Sequence, residues 1–303
     1  MYDIVIVGAG PAGLTAAIYA RRANKQVLLL EKAAFGGQIT FSPKVENYPG
    51  FESVSGSGLA DKLVEQALGQ GADVEIETVV DIRDNGATKT VLTEEGNAYD
   101  AKAVIVCAGA RHRHLGLEHE ERFIGDGISF CAVCDGAFYK DKTVGLVGGG
   151  NSALQEAILL SETCRQVIVI QNLDRLTGEE QLQEIVYKRP NIQVLTGTVV
   201  SGIADTETFT GITVRRVADD AEQMLALDGL FVAIGLQPEN EAFAGLAQLD
   251  AAGYFATGED CVTKTPGLFV AGDCRAKAVR QVATAVGDGA VAALAACRYI
   301  DNL

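Results

Sequence analysis

Short, unbroken apolar runs that end in glycine set the rhythm of this chain. Ile4 to Val7 is too short for a core helix and reads as a strand buried on both faces. It leads into Gly8-Ala9-Gly10-Pro11-Ala12-Gly13, after which Leu14 to Arg22 reads as a helix. A second run, Val27 to Leu30, ends at Glu31. The same sequence of elements returns later: Val144 to Val147, then Gly148-Gly149-Gly150-Asn151-Ser152-Ala153, a helix to about Glu162, and a run from Val167 to Ile170 ending at Gln171. Gly148 and Gln171 are separated by the same number of residues as Gly8 and Glu31. Further runs reach glycine at Gly109, Gly235 and Gly272. A helix from Gln281 to roughly Ala296 follows the last of these. The pattern predicts an α/β protein with two Rossmann-like dinucleotide-binding domains of three-layer type, the second inserted into the first. The expected division is 1–114 with 243–303, and 115–242.

A glycine motif between strand and helix has a physical reading. The first glycine makes a tight turn, and the second lets backbone approach a pyrophosphate. The third position must be small so that helix and strand can pack, and the helix N-terminus faces the anion. Gly8, Gly10, Pro11, Ala12 and Gly13 form one candidate site; Gly148, Gly150, Asn151, Ser152 and Ala153 form the other. Glu31 can accept two hydrogen bonds from an unphosphorylated ribose, which suits FAD. Gln171 can both donate and accept, so the second nucleotide is less defined. Gly109 and Gly272 end strands where a cofactor is expected, and Asp273 could accept from a ribityl hydroxyl. Ordinary strand–helix packing is the alternative for each of these turns.

Composition narrows the partners. The net charge of −15 over 303 residues disfavours nucleic acid and anionic membranes. No apolar stretch reaches membrane-spanning length, and Met1-Tyr2-Asp3 has no basic leader character. Seven cysteines, an odd count, fit a reducing cytoplasm better than a disulfide framework. In that setting Cys131-Ala132-Val133-Cys134 reads as a redox pair, and the adjacent Asp135 can supply or remove a proton. Zinc held by Cys131, Cys134, His112 and His114 is the competing reading. His112-Arg113-His114 otherwise reads as a solvated, cationic loop. Cys107, Cys164, Cys261, Cys274 and Cys297 stand singly and read as small buried hydrophobes.

These residues together resemble the low-molecular-weight thioredoxin reductases along essentially the whole chain. The resemblance is carried by Gly8 to Gly13, Gly36-Gly37-Gln38, Val45 to Phe51, Cys131 to Gly136, Gly148 to Ala153, Gly272-Asp273, Arg280-Gln281 and Thr284 to Gly289. It implies a homodimer in which FAD passes electrons from a nicotinamide to the disulfide and on to thioredoxin or a thioredoxin-like protein. By position, Cys134 would face the flavin, Cys131 would attack the partner disulfide and Asp135 would be the acid/base. Gln38, Asn47, Asp273 and Gln281 would line FAD, with Gly37 and Arg280 in the same segments. The family's domains would also rotate between turnover steps.

One segment departs from the family. Where NADPH-dependent members carry His-Arg-Arg and a further arginine, this chain reads Gln171-Asn172-Leu173-Asp174-Arg175, with Glu179-Glu180 following. A 2′-phosphate requires guanidinium partners, and Arg175 alone remains nearby. The expected donor is therefore NADH or NADPH, with reduced ferredoxin as the alternative. Reduction of a small-molecule disulfide, or redox sensing without turnover, are the rival functions.

Overall fold

The computed structural model describes residues 1–42, 44–204 and 207–303. Two compact units emerge: Met1–Arg111 with Gln237–Leu303, and His112–Leu236.

The first unit opens with β1 (Tyr2–Val7), α1 (Pro11–Arg22) and β2 (Val27–Glu31). Next come α2 (Gly56–Gly69), β3 (Asp73–Ile76), β4 (Val79–Asp84), β5 (Lys89–Thr93) and β6 (Ala98–Val106). Helix α1 starts three residues earlier than the apolar pattern predicts, because Pro11 fits its first turn, where no amide partner is required. β7 (Ala110–His112) leads into the second unit.

The second unit comprises α3 (Glu120–Phe123), β8 (Ile128–Ser129), α4 (Ala132–Asp135), β9 (Thr143–Val147) and α5 (Asn151–Ser161). It continues with β10 (Gln166–Ile170), α6 (Glu180–Lys188), β11 (Ile192–Leu195), β12 (Thr198–Ile203), β13 (Gly211–Arg216), β14 (Glu222–Ala226) and β15 (Gly229–Val232). Through β16 (Leu236–Pro238) the chain returns to the first unit, which closes with β17 (Leu268–Val270) and α7 (Val282–Asp301).

The sheet of the first unit runs β3-β2-β1-β6-β5-β4, with β17 also on β6. Strand β6 is long enough to serve two neighbours on one edge: its start pairs antiparallel with β5, and Val104–Val106 pair parallel with β17. Alternation then divides the apolar strands between two cores. Ile4, Ile6, Leu29 and Ile105 pack under α1 and α7, while Val5, Val7, Leu28 and Leu30 pack on the opposite face. Both faces are buried, which is why these strands are continuously apolar rather than alternating.

The second unit repeats the device with a parallel sheet, β11-β10-β9-β15-β8, and adds an antiparallel sheet, β12-β13-β14. Val144, Leu146, Val167 and Val169 meet α5 on one face; Val147, Ile168 and Ile170 meet the antiparallel sheet on the other. The architecture is α/β with two Rossmann-like units, the second interrupting the first. Among the described residues, no helix is long and apolar enough to cross a membrane.

Candidate active site

In the first unit the glycine turn is shaped by two close approaches. Gly8 has φ +101°, and a Cβ on Gly13 would lie 1.9 Å from the Gly8 carbonyl oxygen. The turn can therefore neither relax nor accept a side chain at its third glycine. A Cβ at Gly10, by contrast, would meet nothing within 4 Å, and the same holds for Gly109. Open space on these glycines is where backbone could approach a ligand. The loop after β2 folds onto the turn: Gly36 N donates to Ala9 O at 2.8 Å, and a Cβ on Gly37 would come within 3.2 Å of the Gly10 Cα. Gly272 lies against Ala12 from the other side.

Glu31, at the end of β2, accepts from Ala9 N at 2.8 Å and from Ala33 N at 3.1 Å, which fixes its carboxylate beside the turn. Asn47 Nδ2 donates to Gln281 Oε1 at 3.2 Å, so two residues far apart in sequence meet where α7 begins. Gln281 is the N-cap of α7 in a capping box with Thr284. Arg280 Nε donates to Asp273 O at 3.3 Å, and its guanidinium lies 4.2 Å over the Tyr254 ring. Gln38 is exposed on a 3-10 turn spanning Gly37–Phe41.

Asp273 is informative because Oδ1 is buried without a hydrogen-bond partner. Burial pushes this carboxyl's pKa up, opposed by Lys277 and Arg280. A hydroxyl donor from a bound molecule would satisfy that oxygen. Together with the open glycines and the placed Glu31 carboxylate, the residues fit FAD.

Sequence reasoning missed what anchors the residues on either side of Asp273. Asp288 Oδ2 accepts from Gly272 N at 3.1 Å, Arg275 Nε at 3.1 Å and Lys277 Nζ at 2.9 Å. Asp288 stands inside the Thr284–Gly289 segment, but its partners are 11 to 16 residues away and its role depends on the fold.

In the second unit Cys131 and Cys134 form a disulfide, with Cα atoms 5.3 Å apart. Cys131 is the N-cap of the single turn α4 and its Sγ accepts from Cys134 N at 3.2 Å. A relay of short contacts follows: Cys131 N donates to Ser129 Oγ at 3.1 Å, and the Ser129 hydroxyl donates to Asp135 Oδ2 at 2.6 Å. Asp135 Oδ1 is buried with no partner. Burial raises the Asp135 pKa, and the Ser129 hydroxyl offsets this only in part. The arrangement sets a dithiol/disulfide beside a carboxyl group biased toward its protonated form. Such a group can donate a proton to a departing thiolate and take it back.

The two sulfurs are bonded to each other, and among the described residues no three His, Cys, Asp or Glu side chains gather as the zinc alternative requires. His112 and His114 stack on Phe130 with ring centroids 4.9 and 5.2 Å away. His112 is not a solvated cation either: burial, with His114 beside it, lowers its pKa to about 4. The remaining five cysteines are free and buried.

The second glycine turn differs from the first. Gly148 has φ +135° and its third position, Ala153, is fully buried, so the turn itself is intact. Its ligand side is more crowded. A Cβ on Gly149 would meet the Gln171 side chain at 2.6 Å. Gln171 is buried, with Nε2 donating to Arg175 O at 3.2 Å. Thr177 N and Gly178 N donate to Gly149 O at 2.8 and 2.9 Å. Asn151 Oδ1 accepts from Glu179 N at 2.7 Å, and Asn151 Nδ2 donates to Glu179 Oε1 at 2.9 Å. A carboxylate is thus held at the first turn of α5, the end where an anion would have to bind. Ser152 is exposed beside it.

Two glycine-turn α/β units, one fitted to FAD and one carrying a disulfide beside a buried acid, define an FAD-dependent disulfide oxidoreductase. The family described as pyridine nucleotide-disulphide oxidoreductase matches residues 2–289, and the chain belongs to it. The chain is 40% identical to a thioredoxin reductase of Listeria innocua, covering 100% of this chain and 95% of that protein. It is equally, 40%, identical to a 34.2 kDa protein in the rubredoxin operon of Clostridium pasteurianum, covering 98% and 97%. The crystal structure of thioredoxin reductase from Streptococcus pyogenes superposes with a TM-score of 0.95 at 37% identity, covering 100% of this chain and 99% of that one. The chain is accordingly a thioredoxin-reductase-like enzyme. FAD, when bound, supplies the two-electron carrier between donor and disulfide.

Proposed function

We propose that this enzyme reduces the disulfide of thioredoxin or a thioredoxin-like protein through Cys131 and Cys134. The observation that carries the reading is the closed disulfide beside the buried, half-partnered carboxyl of Asp135. Cys131 is the thiol that attacks the partner disulfide. The Cys134 amide already directed at its sulfur would remain to stabilise a Cys131 thiolate. Cys134 is the thiol that exchanges with the flavin, and Asp135 moves the proton. Gly8, Gly10, Pro11, Ala12, Gly13, Glu31, Gly37, Gln38, Asn47, Gly109, Gly272, Asp273, Arg280 and Gln281 hold FAD. The family resemblance supports a homodimer, and the five reduced thiols suit the cytoplasm. Replacing Cys134 by Ser should preserve flavin content and abolish disulfide reduction in a thioredoxin-coupled assay. Normal turnover by that variant removes Cys134 from the mechanism.

For the electron donor we propose NADH, bound at Gly148, Gly150, Asn151, Ser152, Ala153 and Gln171, in preference to NADPH. Arg175 is the one cation of the segment that would meet a 2′-phosphate, and Glu179 and Glu180 oppose it. A second reading, reduced ferredoxin as donor, is favoured by the Glu179 carboxylate at α5 and by the loop amides on the Gly149 carbonyl. The chain's charge of −15 counts against an acidic protein donor. Anaerobic stopped-flow spectroscopy separates the two. Flavin bleaching by NADH faster than by NADPH supports the first, and bleaching by ferredoxin alone establishes the second.

A further inference from the structure

A second carboxyl group belongs to the surroundings of the disulfide. Glu156 lies on α5, which packs against α4 within the same core. The backbone amide of Ala132, the residue that follows Cys131, favours its charged form. One carboxylate oxygen, Oε2, is buried with no hydrogen-bond partner. A buried carboxylate oxygen left unpartnered on a helix that packs against the redox turn is costly to keep for packing alone.

We infer that Glu156 is a positioning residue whose negative charge makes the Cys131–Cys134 pair harder to reduce above neutral pH. The reasoning rests on these cysteines being the redox pair. Reduction adds two electrons, breaks the S–S bond and takes up one proton, leaving a thiolate on Cys131 and a thiol on Cys134. A carboxylate close to the start of α4 repels that thiolate, whereas the neutral acid does not. Reduction therefore raises the affinity of Glu156 for a proton, and the two events are linked.

Burial raises the Glu156 pKa to about 7, opposed by the Ala132 amide, so the charge switches near neutral pH. The other charges packed around α5 leave this assignment intact. β9 and β10 carry no titratable side chain. α6 carries Glu180, Glu184, Tyr187 and Lys188, all exposed to solvent, with Lys188 paired to Glu184. α4 contributes Cys134 and Asp135, with Cys131 at its cap. Asp135 is itself biased toward its neutral form by burial.

The test equilibrates the flavin-loaded enzyme with glutathione buffers at pH 6 and pH 8.5. The Cys131/Cys134 peptide is then trapped by alkylation and read by mass spectrometry. Two glutathione molecules supply the electrons and become their own disulfide. At pH 8.5, Glu156→Gln should reach half-reduction at about a tenfold lower ratio of squared glutathione to glutathione disulfide than wild type, about 30 mV for a two-electron couple. The two should converge at pH 6, and Glu156→Asp, which keeps the charge, should follow wild type. Curves for Glu156→Gln and wild type that agree within twofold at both pH values overturn the inference. A wild-type pair that never exchanges with glutathione overturns instead the assignment of the pair. Should Glu156→Gln not fold, carbon-13 NMR of the Glu156 carboxyl in oxidised and reduced wild type decides. A higher pKa in the reduced protein supports the inference, and an equal one ends it.

Discussion

Asp135 shows how one residue can serve chemistry at a cost to stability. Its pKa is raised in the folded protein, so the stability it allows is complete below the ordinary carboxylate range. That stability is lost as pH rises through the raised value. Asp135→Asn should therefore melt higher than wild type near pH 7, with the difference vanishing at acid pH in a calorimetric series. The same variant should slow disulfide reduction about 100-fold, since it has no proton to give. Its rate should also lose the fall that wild type shows as Asp135 deprotonates. Asp288 has the opposite character. It joins Gly272, Arg275 and Lys277, and Arg275 is 2% exposed. Asp288→Ala should cost about 3 kcal/mol or more in denaturant unfolding, because it strands buried cations. It should also weaken flavin retention on gel filtration, because Gly272 and Arg275, which flank Asp273, lose their anchor. The cysteine pair and Asp135 could be read from the sequence as adjacent residues with complementary chemistry. Ser129, Glu156 and Asp288 could not, since each is an ordinary polar residue until folding brings its partner near.

At the scale of elements, the two glycine turns share a backbone device and differ in what covers it. α1 approaches β1 so closely that a Cβ at Gly13 would overlap the Gly8 carbonyl. Gly13→Val should separate helix from strand and lower stability by about 1–3 kcal/mol, with loss of bound flavin measurable by absorbance. The equivalent position in the second unit already carries Ala153, fully buried. Strand and helix positions were legible because buried parallel strands must be continuously apolar and helix starts need small or proline residues. α7 runs to Asp301, beyond the Ala296 expected, because it remains anchored at Cys297 and Ile300 after the small-residue stretch ends. The loop folded over Gly149 left no such trace. Its hydrogen bonds use backbone amides, which every residue type except proline carries.

For the whole molecule, continuity of the chain decides which part is self-sufficient. The unit His112–Leu236 is one uninterrupted segment with two cores of its own. Expressed alone it should unfold in one cooperative thermal transition. The segment 1–111 alone should not, because β17 completes its sheet and α7 supplies much of one core. Circular dichroism melts of the two pieces test this directly.

Local order along the chain fixed the apolar strands, the turns after them, the vicinal cysteines and the missing arginines. Each of these is a property of neighbouring residues and survives without the fold. Tertiary structure alone decided that Asp273 keeps an unmatched oxygen, that Asp288 gathers two cations, and that Glu179 occupies the head of α5. It also decided that α5, which carries Glu156, packs against the turn that starts at Cys131. Those outcomes depend on desolvation and on partners distant in sequence, and both come into being only when the chain has packed.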